Sequence, residues 1–380
     1  MAVIERPKQP ADQFIFNVTL ALLAVGVAAV FDASYARSMD LRNTGNDAFF
    51  FLKRQAVFAA IGLACMLAMS RFNYWKLKRF AGPVLIASIF MLAMVWLPTI
   101  GITRNGASRW IGYGPIQLQP SEVAKLALVV YLAAILSRGA HNIRSFWDGL
   151  FIPLAVIGAI VVLVEREPDL GTAFIILMAS LTLLYLAGAR KRHLGGILAT
   201  CGVLFVLASL FSHSFRAGRI QTFLNPDSDP TGRGYQISHG LMAVGSGRIT
   251  GVGLGAGREK FYIPEANTDF IFATIAEETG LVGCLIVIGL LAAVGLQGFR
   301  IASRTRDPFG SLLAAGIAAM ISWQAIVNIA VVTGSIPATG VPLPFISYGG
   351  SSVLFLLIGI GILLNISQHP DASPRLAERR

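Results

Sequence analysis

The sequence predicts an all-α fold, a polytopic integral membrane bundle of about ten transmembrane helices with one large extracytoplasmic loop. Of its 380 residues, 55% are hydrophobic and only 13% are charged, and the mean hydropathy is +0.67. A soluble globule of this size needs more polar surface than this composition supplies. The apolar runs approach the roughly 20 residues that a helix needs to cross about 30 Å of hydrocarbon, whereas the strands of a membrane barrel would alternate apolar and polar residues.

Ten apolar segments carry this prediction, and an even number of crossings places both termini on one side. The segments lie at 14–33, 55–70, 81–99, 120–137, 149–164, 171–188, 194–211, 269–296, 309–333 and 344–366. With this topology, 17 of the 31 Lys and Arg residues fall on the side of the termini, and only 7 fall opposite outside the long loop. Positive residues accumulate in short cytoplasmic loops, so both termini are expected in the cytoplasm.

The chain is expected to form a single membrane domain over residues 1–380. Residues 1–13 and 368–380 are its predicted cytoplasmic ends, and 212–268 is the predicted large extracytoplasmic loop. Ordered loops of this length are more often functional than decorative. The loop is therefore a candidate part of the functional site.

Two further segments are expected on the same outer side as that loop. Residues 104–122 carry Trp110 at the depth of an aromatic belt, and Pro120 is placed to start a helix. Residues 334–352 hold no charge but several glycines and prolines. Irregular backbone at membrane depth is tolerated only where protein or a water-filled cavity receives its polar groups, so a cavity is expected near the outer face.

Asp269 stands where a polar outer segment passes into an apolar span. One interpretation is that Thr268 caps the helix and that Asp269, in the first turn, only complements the helix dipole. The other is a carboxylate at the mouth of an apolar cavity, where desolvation raises its pKa and makes it a usable base. Glu277 and Glu278, two turns further on, are expected to serve helix packing.

Other charged residues near the outer face allow two interpretations each. Glu122 and Lys125 share a face of the fourth span, so they are either a functional pair or a structural ion pair between helices. Arg109, beside Trp110, is suited to grip a phosphate, or it extends towards the lipid headgroups. Lys260 is one of six cations in the long loop, some of which only keep it solvated.

Several classes of site and partner are disfavoured. The stretch GVGLGAG at 251–257 lacks the preceding strand and the glycine spacing of a nucleotide-binding loop. The three cysteines lie singly in apolar runs and predict no disulfide framework. The net charge of +11 suits anionic lipid or a phosphate-bearing substrate. Basic residues are spread over many short loops, so no nucleic acid partner is expected.

Six motifs in order along the chain resemble those of the SEDS family (shape, elongation, division and sporulation). They are RNGASRWI at 104–111, QPSEVAKLAL at 119–128, EPDLGTA at 167–173, GYQISHGLMAVGSG at 234–247, IPEANTDFIFATIAEETGLVG at 263–283 and PLPFISYGGSS at 342–352. The similarity runs from residue 14 to residue 367. FISYGGSS and the closing ILLNIS are more similar to the division branch of the family than to its elongation branch.

The resemblance implies a ten-helix bundle with peptidoglycan glycosyltransferase activity on lipid II. The family's catalytic aspartate falls on Asp269, which would be the base for the acceptor sugar. The residues expected to bind substrate are Arg109, Trp110, Glu122, Lys125, Lys260, Ser347, Tyr348, Gly349, Gly350 and Ser351. The chain departs from the family pattern at Asn267, where a histidine is usual, and this puts the fine positioning or the pKa of the aspartate in question.

The resemblance also implies partners and a location. The expected partners are lipid II, the nascent glycan strand, a class B penicillin-binding transpeptidase and divisome membrane proteins. The expected location is the bacterial cytoplasmic membrane at the division septum. A divalent cation, Mg²⁺ or Mn²⁺, is a possible cofactor, because either arginine or a metal could neutralise the leaving pyrophosphate. The alternatives are a lipid II flippase, an elongation-type polymerase for cell shape, and a noncatalytic scaffold that recruits the transpeptidase.

Overall fold

A computed structural model of the chain describes most of its residues. The described residues are 10–40, 47–97, 100–104, 107–113, 116–138, 143–211, 222–223, 225, 229 and 232–370. Within these ranges the chain forms eleven α-helices and one small antiparallel sheet. The helices are α1 Gln13–Asp40, α2 Phe50–Arg71, α3 Trp75–Met94, α4 Pro120–Leu136, α5 Phe151–Arg166, α6 Leu170–Leu186, α7 Lys191–Phe211, α8 Arg233–Ser246, α9 Ile271–Arg304, α10 Pro308–Val332 and α11 Gly350–Ser367.

Each of the ten predicted spans overlaps one of these helices. Seven helical segments of the described residues are long and apolar enough to cross a membrane: α1 to α3, α5 together with the π-helical turn Phe146–Leu150 before it, and α9 to α11. The α6 helix is apolar but has only 17 residues. The chain is thus a multi-pass membrane protein, and the count of ten spans stays a prediction. The expected start of the last span at residue 344 is wrong, because residues 344–349 form turns and α11 begins at Gly350.

The α10 helix lies at the centre of the bundle, where it packs against α4, α6, α9 and α11. It begins after Asp307, whose carboxylate accepts a hydrogen bond from the Gly310 amide at 2.8 Å, with Pro308 in the first turn. Small residues let neighbouring helices approach closely: a Cβ on Gly316 would lie 2.6 Å from Val129 of α4. In lipid the hydrophobic effect does not drive helices together, so close packing of this kind stabilises their association instead.

A three-stranded sheet, which the sequence did not predict, connects α3 to α4. Its strands are β1 Gly101–Arg104, β2 Ala107–Tyr113 and β3 Ile116–Leu118, paired in that order. As expected, α4 then begins with Pro120 in its first turn. Pairing within the sheet satisfies backbone groups of β2 on both of its sides, which reduces the cost that irregular backbone would have near the membrane surface.

The long loop at 212–268 contains a helix, α8, that was not predicted from the sequence. Its buried positions are spaced three apart and are mostly small, which lets the helix lie close to the start of α9. A Cβ on Gly240 would lie 2.7 Å from the ring of Phe270, and one on Gly247 would collide with the carbonyl of Ala276. The GxxIxxGxxA pattern that begins at Gly234 has the spacing of a helix face. Its small residues carry little hydrophobic signal, so the pattern was not recognised as a helix.

The α9 helix is broken at Gly280, which has φ 63° and ψ −161°. The loop that follows α8 supplies the hydrogen bonds that the break removes. The amides of Leu281 and Val282 donate to the carbonyls of Arg248 and Ile249 at 2.9 and 3.2 Å. The amides of the next loop residues, 252 and 253, donate to the carbonyls of residues 277 and 278 at 3.0 and 3.1 Å. This loop therefore forms backbone hydrogen bonds on both sides of the break.

Candidate functional site

Asp269 lies in the turn that precedes α9. The helix begins at Ile271 and no side chain caps it, so the expected capping by Thr268 is wrong. The Thr268 hydroxyl instead lies 2.8 Å from Asp269 Oδ1 and 2.9 Å from Glu265 Oε2, because the chain turns back on itself between residues 263 and 270. Asp269 thus stands ahead of the helix rather than in its first turn.

Burial raises the pKa of Asp269 to about 6, and the negative charge of Glu265 adds to this effect. The Thr268 hydrogen bond and the positive charge of Arg109 act in the opposite direction. Asp269 is partly exposed, so it is accessible even though its surroundings desolvate the carboxyl group. A carboxylate with this pKa is a stronger base than an ordinary aspartate, and it is mostly ionised at neutral pH.

The segment before α11 holds the Asp269 turn in place. The Ser347 hydroxyl donates to the carbonyl of Thr268 at 2.5 Å and accepts the amide of Leu343 at 2.7 Å. The amide of Tyr348 donates to the carbonyl of Asn267 at 2.9 Å. Ser347 and Tyr348 were predicted to bind substrate, and the structure places both against the backbone of the turn that carries the candidate base.

The next three predicted residues lie where α11 begins. Gly349 precedes the helix in an extended conformation, with φ 174°. Gly350 packs beneath Phe58, where a Cβ would lie 2.5 Å from the ring. The Ser351 hydroxyl accepts the amide of Gln119 at 3.2 Å, which ties α11 to the end of the outer sheet. Ser347 and Tyr348 thus contact the Asp269 turn, whereas Gly350 and Ser351 contact α2 and the end of the sheet.

Arg109 is the extra residue of a β-bulge. Between β1 and β2, Ile102 faces Trp110 and Thr103 faces Ser108, which leaves Arg109 without an opposing residue. A bulge changes the direction of a side chain relative to a regular strand. Trp110, also a predicted substrate contact, is half-buried beside it.

The Arg109 guanidinium contacts the turn between α5 and α6. Its Nε donates to the carbonyl of Glu167 at 3.1 Å and its Nη2 donates to the carbonyl of Pro168. Its Nη1 lies 3.7 Å from the point that a Cβ on Gly340 would occupy, and Asp269 Oδ2 lies 3.6 Å from the same point. The structure thus brings Arg109 and Asp269 together. Protein carbonyls bind the guanidinium, so it does not only extend towards the lipid headgroups.

Two acidic residues near Arg109 were not identified from the sequence, although they lie in the quoted motif EPDLGTA. Glu167 is 1% exposed, and neither of its carboxylate oxygens has a hydrogen-bond partner among the described residues. Burial and the nearby Asp169 raise the pKa of Glu167 to about 9, against the opposing charge of Arg109. Asp169 caps α6 by accepting the amide of Thr172 at 3.1 Å. Two acids directly before an apolar run were the signal available in the sequence.

Glu122 and Lys125 form the ion pair that their spacing predicts. Lys125 Nζ lies 2.8 Å from Glu122 Oε1, and both side chains are 2% exposed. The same ammonium donates to Gln324 Oε1 of α10 at 2.8 Å. The Gln324 amide in turn donates to the carbonyl of Pro342 at 3.0 Å and lies 3.3 Å from the Ser352 hydroxyl. The pair is therefore linked to the segment that supports the Asp269 turn.

Lys260 is held in ion pairs with residues of α1 and α9. Its ammonium lies 2.7 Å from both Asp32 Oδ1 and Glu278 Oε1. Glu277 and Glu278 also accept backbone amides of the glycine-rich loop, from Gly255, Gly257, Arg258 and Glu259, at 2.7 to 3.2 Å. These two glutamates therefore fix the outer loop to α9, which is more than the helix packing expected of them. The structure does not bring Lys260 beside Asp269 through any contact of the described residues.

The site offers few ligands for a metal ion. Among the described residues, no three His, Cys, Asp or Glu side chains cluster as metal ligands. Asp269 and Glu265 are two acids of this site whose charges interact and whose oxygens both lie near the Thr268 hydroxyl. Carboxylate oxygens of this kind suit Mg²⁺ or Mn²⁺.

Comparison with known proteins identifies a family and close relatives. The profile of the cell cycle protein family that comprises FtsW, RodA and SpoVE matches residues 12–372. Stage V sporulation protein E of Bacillus subtilis is 40% identical over 95% of this chain and 98% of its own length. A probable peptidoglycan glycosyltransferase FtsW of Geobacter metallireducens is 38% identical over 96% of both chains.

Solved structures show the same fold. A chain from a peptidoglycan synthase complex, described for its coordination of polymerization and crosslinking, has 29% identity and a TM-score of 0.80. That likeness covers 96% of this chain and 99% of the other. The rod shape determining protein RodA of Thermus thermophilus has 27% identity and a TM-score of 0.69, with 96% and 98% of the two chains covered.

Proposed function

Because the chain belongs to the cell cycle protein family of FtsW, RodA and SpoVE, we propose that it is a peptidoglycan glycosyltransferase that polymerises lipid II. It acts in septal cell-wall synthesis during cell division, at the outer face of the cytoplasmic membrane. Support comes from relatives that are named as such glycosyltransferases and are 38 to 39% identical over nearly the whole chain. The division role follows from the same names.

The single observation that carries this proposal is the placement of Asp269. Its carboxyl group is desolvated, partly exposed and close to Arg109 at Gly340, and its pKa is raised to about 6. A base for a sugar hydroxyl and a cation for a departing phosphate are the two groups that this reaction requires. The outer face is where the sugars of a lipid-linked substrate lie, while its apolar tail stays in the bilayer.

Asp269 is the proposed general base. It accepts the proton of the acceptor sugar's 4-hydroxyl as that oxygen forms a bond to the anomeric carbon of the donor. The bond between this carbon and the diphosphate oxygen breaks, and its electron pair leaves with undecaprenyl diphosphate. General-base catalysis of this kind contributes about 10²- to 10⁴-fold to the rate.

Arg109 is the proposed cation for the diphosphate. Its Nη1 is directed towards Gly340 and Asp269, while Nε and Nη2 are held by carbonyls. Lys125 is neutralised by Glu122 and lies within the bundle, so its proposed role is to support, through Gln324, the segment beside the base. Trp110 and the motif from Ser347 to Ser351 line or support the substrate site.

A divalent cation stays a proposal for this site. Asp269 and Glu265 would hold Mg²⁺ or Mn²⁺, and such an ion would neutralise charge that develops on the diphosphate. Mg²⁺ usually keeps several waters and takes only one or two carboxylates from the protein. Two carboxylates on one turn therefore fit the ion without a larger acidic cluster.

A transpeptidase of the class B penicillin-binding type is the proposed partner. The similarity to a chain from a peptidoglycan synthase complex supports it, because that complex coordinates polymerization with crosslinking. The other proposed partners are the nascent glycan strand and membrane proteins of the divisome. Both termini are proposed to be cytoplasmic, from the distribution of Lys and Arg.

The test is reconstitution of the purified protein with purified lipid II, with and without the transpeptidase, and with Mg²⁺, Mn²⁺ or chelator. Glycan strands are separated by length on a gel. Asp269→Asn is nearly isosteric but cannot accept a proton at neutral pH, so it should bind lipid II normally and polymerise at least about 10²-fold more slowly. A wild-type rate for this variant would place the base elsewhere, and equal losses of binding and rate would make Asp269 a binding or metal-holding residue.

The alternative function is a lipid II flippase, and the broken helix α9 is the observation that favours it. Transporters place broken helices around a substrate site at the middle of the membrane. In this chain, however, the break at Gly280 is filled by hydrogen bonds from the outer loop rather than by an open cavity. Transfer of fluorescent lipid II across vesicle membranes, without polymerisation, would establish the alternative.

A further inference from the structure

Asn328 is a buried amide of α10 that contacts the candidate base directly. It is 1% exposed, and its Nδ2 donates to the backbone carbonyl of Asp269 at 2.8 Å and to that of Val341 at 2.7 Å. An amide nitrogen carries two hydrogens, so both contacts can form together. The contacts also fix the orientation of the amide, since its oxygen could donate to neither carbonyl.

The two carbonyls belong to the two sides of the candidate site. One is that of Asp269 itself. The other belongs to Val341, which follows Gly340, the residue that both Arg109 Nη1 and Asp269 Oδ2 approach. Asn328 therefore holds the base and the segment beside it at one fixed separation.

Gln324, one turn earlier on α10, repeats this arrangement. Its Nε2 donates to the carbonyl of Pro342 at 3.0 Å, so the two amides hold consecutive carbonyls of one segment. Side chains four residues apart on a helix lie on the same face. Gln324 also accepts from Lys125, whereas Asn328 is the member of this pair that reaches Asp269.

Removing the Asn328 amide would leave two buried carbonyls close together without a donor. Each unsatisfied buried group is costly, and the low dielectric of the interior increases the cost. The segments would move apart until water or another donor satisfied them. That movement would displace Asp269 from Arg109 while leaving both side chains present.

We propose that Asn328 is a positioning residue for catalysis, which sets the place of the Asp269 carboxylate relative to Arg109 by holding the backbone on both sides of the gap. This inference rests on the proposed function, since it assigns a role within the same reaction. Asn328 touches no reacting atom and acts only through Asp269.

The test compares Asn328→Leu and Asn328→Ala with wild type in the lipid II polymerisation assay. Leucine keeps the branched shape of asparagine without a donor but is larger, and alanine removes the amide without overfilling the site. Displacement of a catalytic group by about 1 Å costs roughly 10²-fold in rate. Both variants should therefore lose about 10²-fold in kcat, with KM and lipid II binding within about threefold of wild type.

The matched control is Thr182→Val. The Thr182 hydroxyl accepts a hydrogen bond from the Trp323 indole of α10 at 3.1 Å, away from Asp269. This variant removes one interhelical hydrogen bond of α10 but none to the Asp269 turn. It should resemble the Asn328 variants in melting temperature and keep the wild-type kcat.

A double variant separates positioning from general damage to the fold. If Asn328 acts through Asp269, then Asn328→Leu should cause no further loss of rate once Asp269→Asn is present. Additive losses, a wild-type kcat in both Asn328 variants, or an equal loss in Thr182→Val would overturn the inference while leaving the proposed function intact. A wild-type protein that makes no glycan strands would overturn both.

Discussion

Arg109 and Asp269 meet at a residue that has no side chain. Arg109 Nη1 and Asp269 Oδ2 lie 3.7 and 3.6 Å from the position that a Cβ on Gly340 would take. Gly340 has φ 74°, a conformation that residues with a side chain rarely adopt. Because Gly340 has no Cβ, the space between Arg109 and Asp269 stays open. The reaction needs a cation and a carboxylate beside such a space.

We expect Gly340→Ala to fold with a modest loss of stability and to lose most of its polymerisation. The methyl group would make ordinary van der Waals contacts, so the folding cost is chiefly the positive φ, about 1 to 2 kcal/mol. The same methyl would occupy the space between Arg109 and Asp269. Melting temperature in detergent and glycan-strand formation measure the two effects.

Gly188→Ala is the control for this substitution. Gly188 follows α6 with φ 98°, and among the described residues a Cβ there would meet the Ile143 side chain, at 3.8 Å. It should lose similar stability without losing polymerisation. Full activity in Gly340→Ala would show that the space beside this glycine is not used by the substrate.

The rate of polymerisation should rise with pH through about 6 and then level off. Asp269 acts as a base only when it is ionised, and its pKa is raised to about 6 in the folded protein. A pH profile of kcat in reconstituted vesicles measures this directly. An unchanged rate between pH 5 and pH 7 would contradict the assignment of Asp269 as the base.

Stability should show the opposite trend for the same residue. The folded protein binds this proton more tightly than the unfolded chain, in which the ordinary pKa is 3.8. Stability therefore falls as pH rises from about 4 to about 6, and Asp269→Asn should remove that loss. At pH 7 the melting temperature of the variant should exceed that of wild type, by an amount equivalent to about 1 to 3 kcal/mol of stability. At pH 4 the two melting temperatures should be equal.

Glu122 and Lys125 should behave as one unit. Removing a single partner leaves a buried charge and costs about 3 to 5 kcal/mol, whereas replacing both with apolar residues of similar size costs much less. Glu122→Leu and Lys125→Met should each lower the melting temperature more than the double variant does. Because Gln324 also binds Lys125, Glu122→Leu should be the milder single change.

The exposed pair Lys53 and Asp47 provides the comparison. Their contact is also 2.8 Å, but the Lys53 side chain is 69% exposed. Exposed ion pairs contribute little, so single and double changes there should be additive. Additivity at Glu122 and Lys125 as well would mean that the buried pair is not interdependent.

Glu167→Gln should stabilise the protein by an amount that grows with pH. The folded-state pKa of about 9 lies well above the ordinary value of 4.5, so wild type loses stability as pH rises between these values. Glutamine cannot ionise and does not share this loss. The gap in melting temperature between variant and wild type should widen from pH 5 to pH 9, and a constant gap would contradict a buried neutral carboxyl group.

Much of the site could be predicted because its residues lie at boundaries between polar and apolar sequence. Asp269 stands at such a boundary, and the spacing of Glu122 and Lys125 alone places them on one face of a helix. Their joint link to α10 could not be predicted. Gln324 and Asn328 are ordinary polar residues in an apolar run, and only the packing of distant segments shows what their amides hold.

The fold was predictable to a similar degree. Length and hydropathy identify helices that must satisfy their own backbone in lipid, and ten such segments overlap helices of the structure. The sheet that presents Arg109 and the helix α8 were missed. The sheet depends on a bulge register that only tertiary contacts fix, and α8 depends on small residues, such as Gly240, that carry no hydrophobic signal.

The break at Gly280 also separates Asp269 from the lipid environment of α9. Bilayers differ in thickness, and a continuous helix adjusts to such mismatch by tilting along its whole length. In α9 the loop that follows α8 bonds to both pieces, through residues 277 and 278 before the break and through Leu281 and Val282 after it. Because the helix is interrupted at Gly280, tilting of the longer piece, from Leu281 to Arg304, is passed towards Asp269 through these loop hydrogen bonds rather than along a continuous helix.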